Sequence, residues 1–286
     1  MKDEVIVTIL LPVYNGEKTL SCAINSLLRQ TLLNFELLIL DDGSSDQTLN
    51  LVNSFADSRI KIIADGEHRG LASRLNQGIN LAKGRYIARM DADDVSFPER
   101  LKIQFDFLEA HPNVDLLGCR ALAFFDQDKI IGTLPFAATH EDICAYPWRA
   151  ISLPHPTWMG RAEWFRKNQY ALPEVIRAED QELLLRTYPY SRFACLNEIL
   201  LGYRQGEFKL SKTLIARRSL LNAQIHLFKS RGEWKNLLLV IWVTFVKVIV
   251  DILASIPGFK NLFFLRMAGK APIDAQLQLK KILSKS

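Results

Sequence analysis

At 286 residues, 49% of them apolar and 23% charged, the chain has the composition of an ordinary folded protein, with length for one large body and an appendage. Its four cysteines (Cys22, Cys119, Cys144, Cys195) are far apart, which excludes a metal-ligating pair, and their apolar neighbours fit buried thiols in a reducing, cytosolic compartment. The net charge of +5 divides unevenly: from Lys209 onward there are 14 Lys/Arg against three acids, and before it 22 basic against 28 acidic residues. An acidic body with a basic tail implies an anionic partner for the tail, a membrane surface or nucleic acid.

The first 120 residues alternate strand and helix. Val5–Leu11 is a near-continuous apolar run, as expected of a strand buried on both faces, and ends at Pro12. It is too short for a signal peptide, and Lys2, Asp3 and Glu4 precede it instead of a basic run. Glu17–Arg29 has helical spacing in Leu20, Ala23, Ile24, Leu27 and Leu28. Phe35–Leu40, Ile60–Ala64 and Arg85–Met90 read as further strands, with Asp46–Phe55, Arg69–Ala82 and Pro98–Ala110 as the helices between and after them. This predicts four βα units on a parallel sheet. A strand over Val114–Arg120 follows, then a less regular region to residue 205. There Ala121–Phe125 and Lys129–Leu134 pair as strands, Pro147, Pro154 and Pro156 mark a loop, Glu179–Arg186 is a short helix, and Ile199–Arg204 returns as a strand.

Two acidic clusters close predicted strands: Asp41-Asp42-Gly43-Ser44-Ser45-Asp46 and Asp91-Ala92-Asp93-Asp94. Carboxylates at the carboxyl ends of parallel strands sit where open α/β sheets bind ligands. Their mutual repulsion calls for a divalent cation carrying phosphate, and the hard ions Mg²⁺ and Mn²⁺ suit oxygen ligands. The plainer reading is a solvated acidic turn that caps the next helix, for which Ser45 and Asp46 are suited.

In the tail, Lys209–Ser230 is a helix candidate, and Leu237–Ile256 is an apolar stretch of membrane-spanning length. Lys247 and Asp251 lie within that stretch at i,i+4 and are expected to satisfy each other or to mark the polar edge of an in-plane helix. Trp234, Trp242, Lys260, Phe263, Phe264, Arg266 and Lys270 are the mix expected at a headgroup boundary. In-plane, spanning and core helices all remain open from the sequence.

Leu11-Pro12-Val13-Tyr14-Asn15, Asp41 to Asp46 and Gly84-Arg85-Tyr86-Ile87-Ala88-Arg89-Met90-Asp91-Ala92-Asp93-Asp94, in that order, resemble the family 2 glycosyltransferases over roughly residues 5–205. The resemblance implies an α/β fold of the GT-A type with a mostly parallel central sheet. It gives a catalytic domain over 1–205 (nucleotide-sugar half to about 120, acceptor half beyond) and a helical, membrane-associating region over 206–286. It further implies inverting transfer of one sugar from a nucleotide-diphosphate donor to a saccharide or lipid-linked acceptor, assisted by Mg²⁺ or Mn²⁺, on the cytoplasmic face of the cell membrane.

By the same resemblance, Asp91 and Asp93 match the metal-binding Asp-x-Asp, with Asp91 toward the ribose or metal, Ala92 beside the nucleotide and Asp94 in support. Pro12, Tyr14 and Asn15 match the nucleotide pocket, Glu17 caps the first helix or touches the nucleotide, and Asp42 (Asp41 as alternative) matches the acid at the base edge. Arg74 in His68–Asn76 is a diphosphate or base contact or a carboxylate partner, with Asn76 supporting it. Asp180 of the Glu179-Asp180 pair matches the general base, and His155 and Arg204 match acceptor- or diphosphate-side positions. The Gln-x-x-Arg-Trp motif of processive members does not occur, which implies single-sugar addition.

Two rivals differ in class. A nucleotidyltransferase would carry a Gly-rich basic loop after the first strand, where this chain has Pro12–Gly16. A nucleic-acid binder would use the basic tail, but the tail's apolar run favours lipid.

Overall fold

The computed structural model describes residues 4–125, 129–173, 177–206, 208–256, 259 and 269–284; Lys260, Phe263, Phe264 and Arg266 of the expected lipid boundary lie outside them. Strand β1 (Val7–Val13) pairs in parallel with β2 (Phe35–Asp41) and β4 (Tyr86–Arg89), and β2 pairs with β3 (Ile60–Ile63). Helices α1 (Leu20–Leu28), α2 (Thr48–Asn53) and α3 (Leu71–Leu81) make the connections. Both β1 and β2 are buried throughout because helices cover both faces. Alternation then sorts the side chains. Val7, Ile9, Leu11, Leu37 and Ile39 join one apolar cluster with α1, while Leu10, Leu38 and Leu40 join another with α3. Each fully buried Leu or Ile contributes about 1.5–3 kcal/mol. Gly78 lets α3 lie close to the sheet, since a Cβ there would stand 2.7 Å from Leu40 Cδ1 and 2.8 Å from Leu10 Cδ2.

Among the described residues the sheet has nine strands in the order β3-β2-β1-β4-β8-β6-β9-β5, with β7 on β6. Beyond β4 the pairing turns mixed: β8 (Met159–Arg161) is antiparallel to β4 and β6 (Leu116–Phe125), and β9 (Phe193–Arg204) is parallel to β6. Strand β5 (Val95–Ser96) joins β9, and β7 (Lys129–Thr133) forms the expected hairpin with β6. Helix α4 (Arg100–Ala110) follows β5, and α5 (His140–Ile143), α6 (Ala162–Lys167) and α7 (Glu179–Thr187) lie between β7 and β9 in the chain.

The structure differs from the sequence reading in several elements. Pro12 does not end β1 but pairs with Leu40 inside it, and Val114–Arg120 and Ala121–Phe125 merge into one strand. Strands β5 and β8, of two and three residues, are too short to show a period.

Helices α8 (Leu210–Ser230) and α9 (Trp234–Ala254) form an antiparallel hairpin. Gly232, at φ +68, closes α8: its N–H donates to the Lys229 carbonyl and the Glu233 N–H reaches the Phe228 carbonyl. Phe228 and Val240 enter the α3-side core, and Gln224 Nε2 donates to the Pro147 carbonyl at 2.7 Å. Asp251 accepts from Arg217 Nε on α8 at 2.7 Å, and Lys247 donates to the Arg149 carbonyl. Both polar groups tie α9 to the body, leaving Leu238, Ile241, Trp242, Phe245 and Ile249 exposed on its outer side. Helix α10 (Ile273–Leu283) packs Leu279 and Ile282 with Val95, Phe97 and Phe124.

Candidate active site

The loops after β1 and β2 are cross-linked to each other. Asn15, at φ +52, accepts from the Ser45 N–H through Oδ1 at 2.9 Å and donates its own N–H to Ser44 Oγ at 2.9 Å. The Gly16 N–H donates to Thr48 Oγ1 at 2.8 Å, and the Gln47 N–H to Glu17 at 3.1 Å. Tyr14 is left 52% exposed, its ring centroid 4.6 Å from that of His68. An aromatic face held open beside a polar loop can stack on a planar base.

Asp42, at the end of β2, is buried and organises the entry to α3. Its carboxylate accepts the Arg69 and Gly70 N–H groups at 2.8 and 3.1 Å and Arg74 Nε at 3.0 Å, with His68 Nδ1 at 2.9 Å. Arg74 is wholly buried; its remaining donors go to Asp65, Gln77 and the Glu67 carbonyl. Of the two roles open for Arg74, the structure shows the carboxylate partner, because burial in low dielectric demands such pairing. Asp41 forms a turn, accepting the Gly43 and Ser44 N–H groups at 3.1 Å each, and lines neither cleft described below. Arg74→Ala is expected to cost about 3 kcal/mol, read as a lower denaturant midpoint. An unchanged midpoint would show the pair to be worthless.

The acidic turn follows β4. Arg89, buried at the strand end, forks onto Asp91, with Nη1 to Oδ2 at 3.1 Å. Arg100 on α4 donates to the Arg89 carbonyl at 2.7 Å and pins the same strand end. Asp94 is fully buried, accepts the Arg204 N–H at 2.8 Å and keeps Oδ2 without a hydrogen bond among the described residues. Arg204 also donates Nε to the Asp93 carbonyl at 2.9 Å and lies 4.6 Å over the Phe124 ring. Ligand atoms of Asp91, Asp93 and Asp94 lie within 4.8 Å of one another. Desolvation and then the Asp91 charge push Asp93 up to about 6, although the residue is exposed at the surface. Burial, then Asp91 and Asp93, hold Asp94 well above the usual carboxylate range. Three crowded carboxylates with an unused oxygen make a fitting cradle for a divalent cation.

Across the cleft, Glu179 and Asp180 occupy the first turn of α7, where the helix dipole favours acids. Burial raises Asp180, opposed by the Gln181 N–H and the Arg89 charge. His155 is buried with Nε2 2.6 Å from the Tyr170 hydroxyl; burial and then Arg89 lower it well below the imidazole range, so it is neutral. Asn76 does not reach the cleft. It exchanges two hydrogen bonds with the Tyr170 backbone, at 2.9 and 3.0 Å, and thereby places that hydroxyl.

These groups line two clefts that meet at Asp91. The first, about 780 Å³, brings Asp42, Asp91, His155, Glu179 and Asp180 together. The second, about 640 Å³, gathers Pro12, Tyr14, Asn15, Glu17, Ala92, Asp93 and Arg204 with the other face of Asp91. Arg74 lines neither. Sequence reasoning gave no role to Arg89, His68 or Tyr203, which line the first cleft. For Arg89 a signal existed: alternation along β4 places it on the face of Ile87, toward α3.

A half-parallel sheet with nucleotide-sized clefts at its strand ends and an Asp-x-Asp turn between them defines a GT-A transferase. Residues 8–169 match the family model Glycosyl transferase family 2, and the chain belongs to that family. It is 36% identical over 188 residues to EpsE of Bacillus subtilis (strain 168), named as a glycosyltransferase, covering 64% of this chain and 66% of EpsE. It is 42% identical over 106 residues to an Escherichia coli UDP-Glc:alpha-D-GlcNAc-diphosphoundecaprenol beta-1,3-glucosyltransferase, WfgD, covering 37% and 42% of the two chains. The chain thus spans about two thirds of the first relative and under half of the second. Staphylococcus aureus TarS, solved with UDP, superposes at a TM-score of 0.62 with 16% identity, covering 98% of this chain and 90% of that one. A Pyrobaculum calidifontis mannosyltransferase solved with GDP-Man and Mn²⁺ superposes at 0.57 with 15% identity, covering 98% and 86%. The chain thus carries a family 2 glycosyltransferase domain.

Proposed function

We propose that this chain inverts the anomeric centre of a nucleotide-diphosphate sugar while moving that one sugar to a saccharide on a lipid-linked acceptor. The observation that supports the reading is the first cleft, which brings Asp91 and the Glu179–Asp180 pair into one cavity. Direct displacement needs such an arrangement: charge stabilisation where the diphosphate leaves, and a base on the opposite face of the sugar. Asp180, raised by burial, is the base that takes the acceptor hydroxyl proton. Arg89 orients Asp91, Tyr14 offers its face to the base, and Asp42 holds the His68–Gly70 loop against the cleft. Asp91 and Asp93, with Asp94 behind them, would hold Mg²⁺ or Mn²⁺, which when bound neutralises charge on the leaving diphosphate. Incubation with UDP-, GDP- and dTDP-sugars in Mn²⁺ or Mg²⁺ should reveal one donor whose nucleotide is released. The transferred sugar should appear inverted by NMR. A retained anomer, or no donor turnover, would sink the reading.

The reading extends to the membrane. Helix α9 is long and apolar enough to cross a bilayer. In its hairpin, however, α9 is tied to α8, which carries Lys212, Arg217, Arg218 and Lys229 and is docked on the body. Crossing would carry those charges into lipid, at about 2.5–3.5 kcal/mol each. The exposed face of α9 therefore lies in the plane of the cytoplasmic leaflet, an assignment in keeping with four free cysteines. Full-length protein should bind phosphatidylglycerol vesicles at low salt and be largely released at about 1 M salt, where screening is nearly complete. Resistance to salt and carbonate would mean a span. Indifference to vesicles would remove the membrane claim.

A further inference from the structure

We propose that a groove between the start of α7 and the first turns of α8 binds the diphosphate of the acceptor, a sugar diphosphate on a long apolar chain. The proposal rests on the glycosyltransfer reading above. The groove has a volume of about 450 Å³ and shares Arg177 and Gln205 with the first cleft, so it opens directly onto the side of Asp180. Arg177, Lys209 and Lys212 line it, and none of the three has a carboxylate partner among the described residues. Two neighbouring cations are spent: Arg186 on Glu182, and Arg217, at the groove's far wall, on Asp251. Residues 205–220 carry four cations against one acid, Glu207.

Electrostatics makes the groove necessary. A diphosphate-bearing acceptor must approach a cleft whose wall holds Asp91, Glu179 and Asp180. Without compensating cations the two anions repel. Lysines suit the task as strongly hydrated point charges for phosphate. The Arg217–Asp251 pair also fixes the direction of the apolar chain. It joins the groove to the end of α9 where Ile249, Ile252, Leu253 and Ile256 are exposed. Sugar, phosphates and lipid thus meet carboxylate, cations and apolar helix in that order.

The test uses the full chain, with farnesyl diphosphate as probe and EDTA present so that no divalent ion carries the probe to Asp91 and Asp93. Titration calorimetry should show binding by the wild type and a loss of about tenfold or more in K209Q/K212Q, with affinity restored in K209R/K212R. Partition to phosphatidylglycerol vesicles should be the same for all three proteins. Equal farnesyl diphosphate affinity in wild type and K209Q/K212Q would overturn the proposal. So would a matching loss of vesicle partition, which would make the lysines a contact for membrane headgroups. Donor hydrolysis by the wild type is measured separately: its absence would count against glycosyltransfer, not against the groove.

Discussion

Asp180→Asn is expected to lower kcat by ~10²–10⁴-fold while leaving donor affinity nearly unchanged. The substitution keeps the size and polarity of the side chain and removes only its ability to take a proton. Donor binding is expected to survive because Asp180, on α7, does not line the second cleft, where Tyr14–Glu17 and Asp93 sit. The pH profile gives an independent reading. Burial raises the Asp180 carboxyl, so it stays protonated to a higher pH than an ordinary aspartate and cannot act as a base there. Activity should therefore rise with pH through that titration in the wild type, and the acid limb should be missing from the residual rate of the asparagine variant. A fall in donor affinity with kcat intact would make Asp180 a binding residue.

Asp93→Ala is expected to abolish divalent-dependent donor turnover in a protein that remains folded. Its two neighbours are already committed, Asp91 to the Arg89 fork and Asp94 to the Arg204 N–H from a buried position. Asp93 is the solvent-facing member of the three and the one with most freedom to ligate. Stability should move the other way. A carboxyl pushed up to about 6 is held charged at neutral pH against desolvation and the Asp91 charge, an unfavourable contribution that grows as pH rises from the unfolded value toward 6. Removing it should leave the Tm of the metal-free protein equal or higher at pH 7. Mn²⁺ should raise the Tm of the wild type and not that of the variant. Undiminished transfer by folded Asp93→Ala would reject the Asp-x-Asp assignment.

Much of the sheet and the places of its acids were legible because they are local properties of the chain. The apolar run Phe35–Leu40 reads as a central strand, which β2 (Phe35–Asp41) bears out, and the acids that follow such a strand lie at its carboxyl edge. Arg74 illustrates the limit. Its type and spacing suit either a phosphate contact or an ion pair, and only the packing of α3 under the Asp42 turn buries it against Asp42 and Asp65. The tail shows the same limit at longer range. An i,i+4 rule names Lys247 as a neighbour of Asp251 but cannot name Arg217, which the hairpin brings from 34 residues away to the buried carboxylate. Tyr170 reaches His155 because Asn76, 94 residues distant, holds its backbone. Hydrophobic period and strand-end chemistry are written within ten or so residues, and the chain alone determined the fold class and the acidic edge. Which charges are spent on each other and which still face a ligand depends on burial and distance between remote segments, and only the tertiary structure decided it.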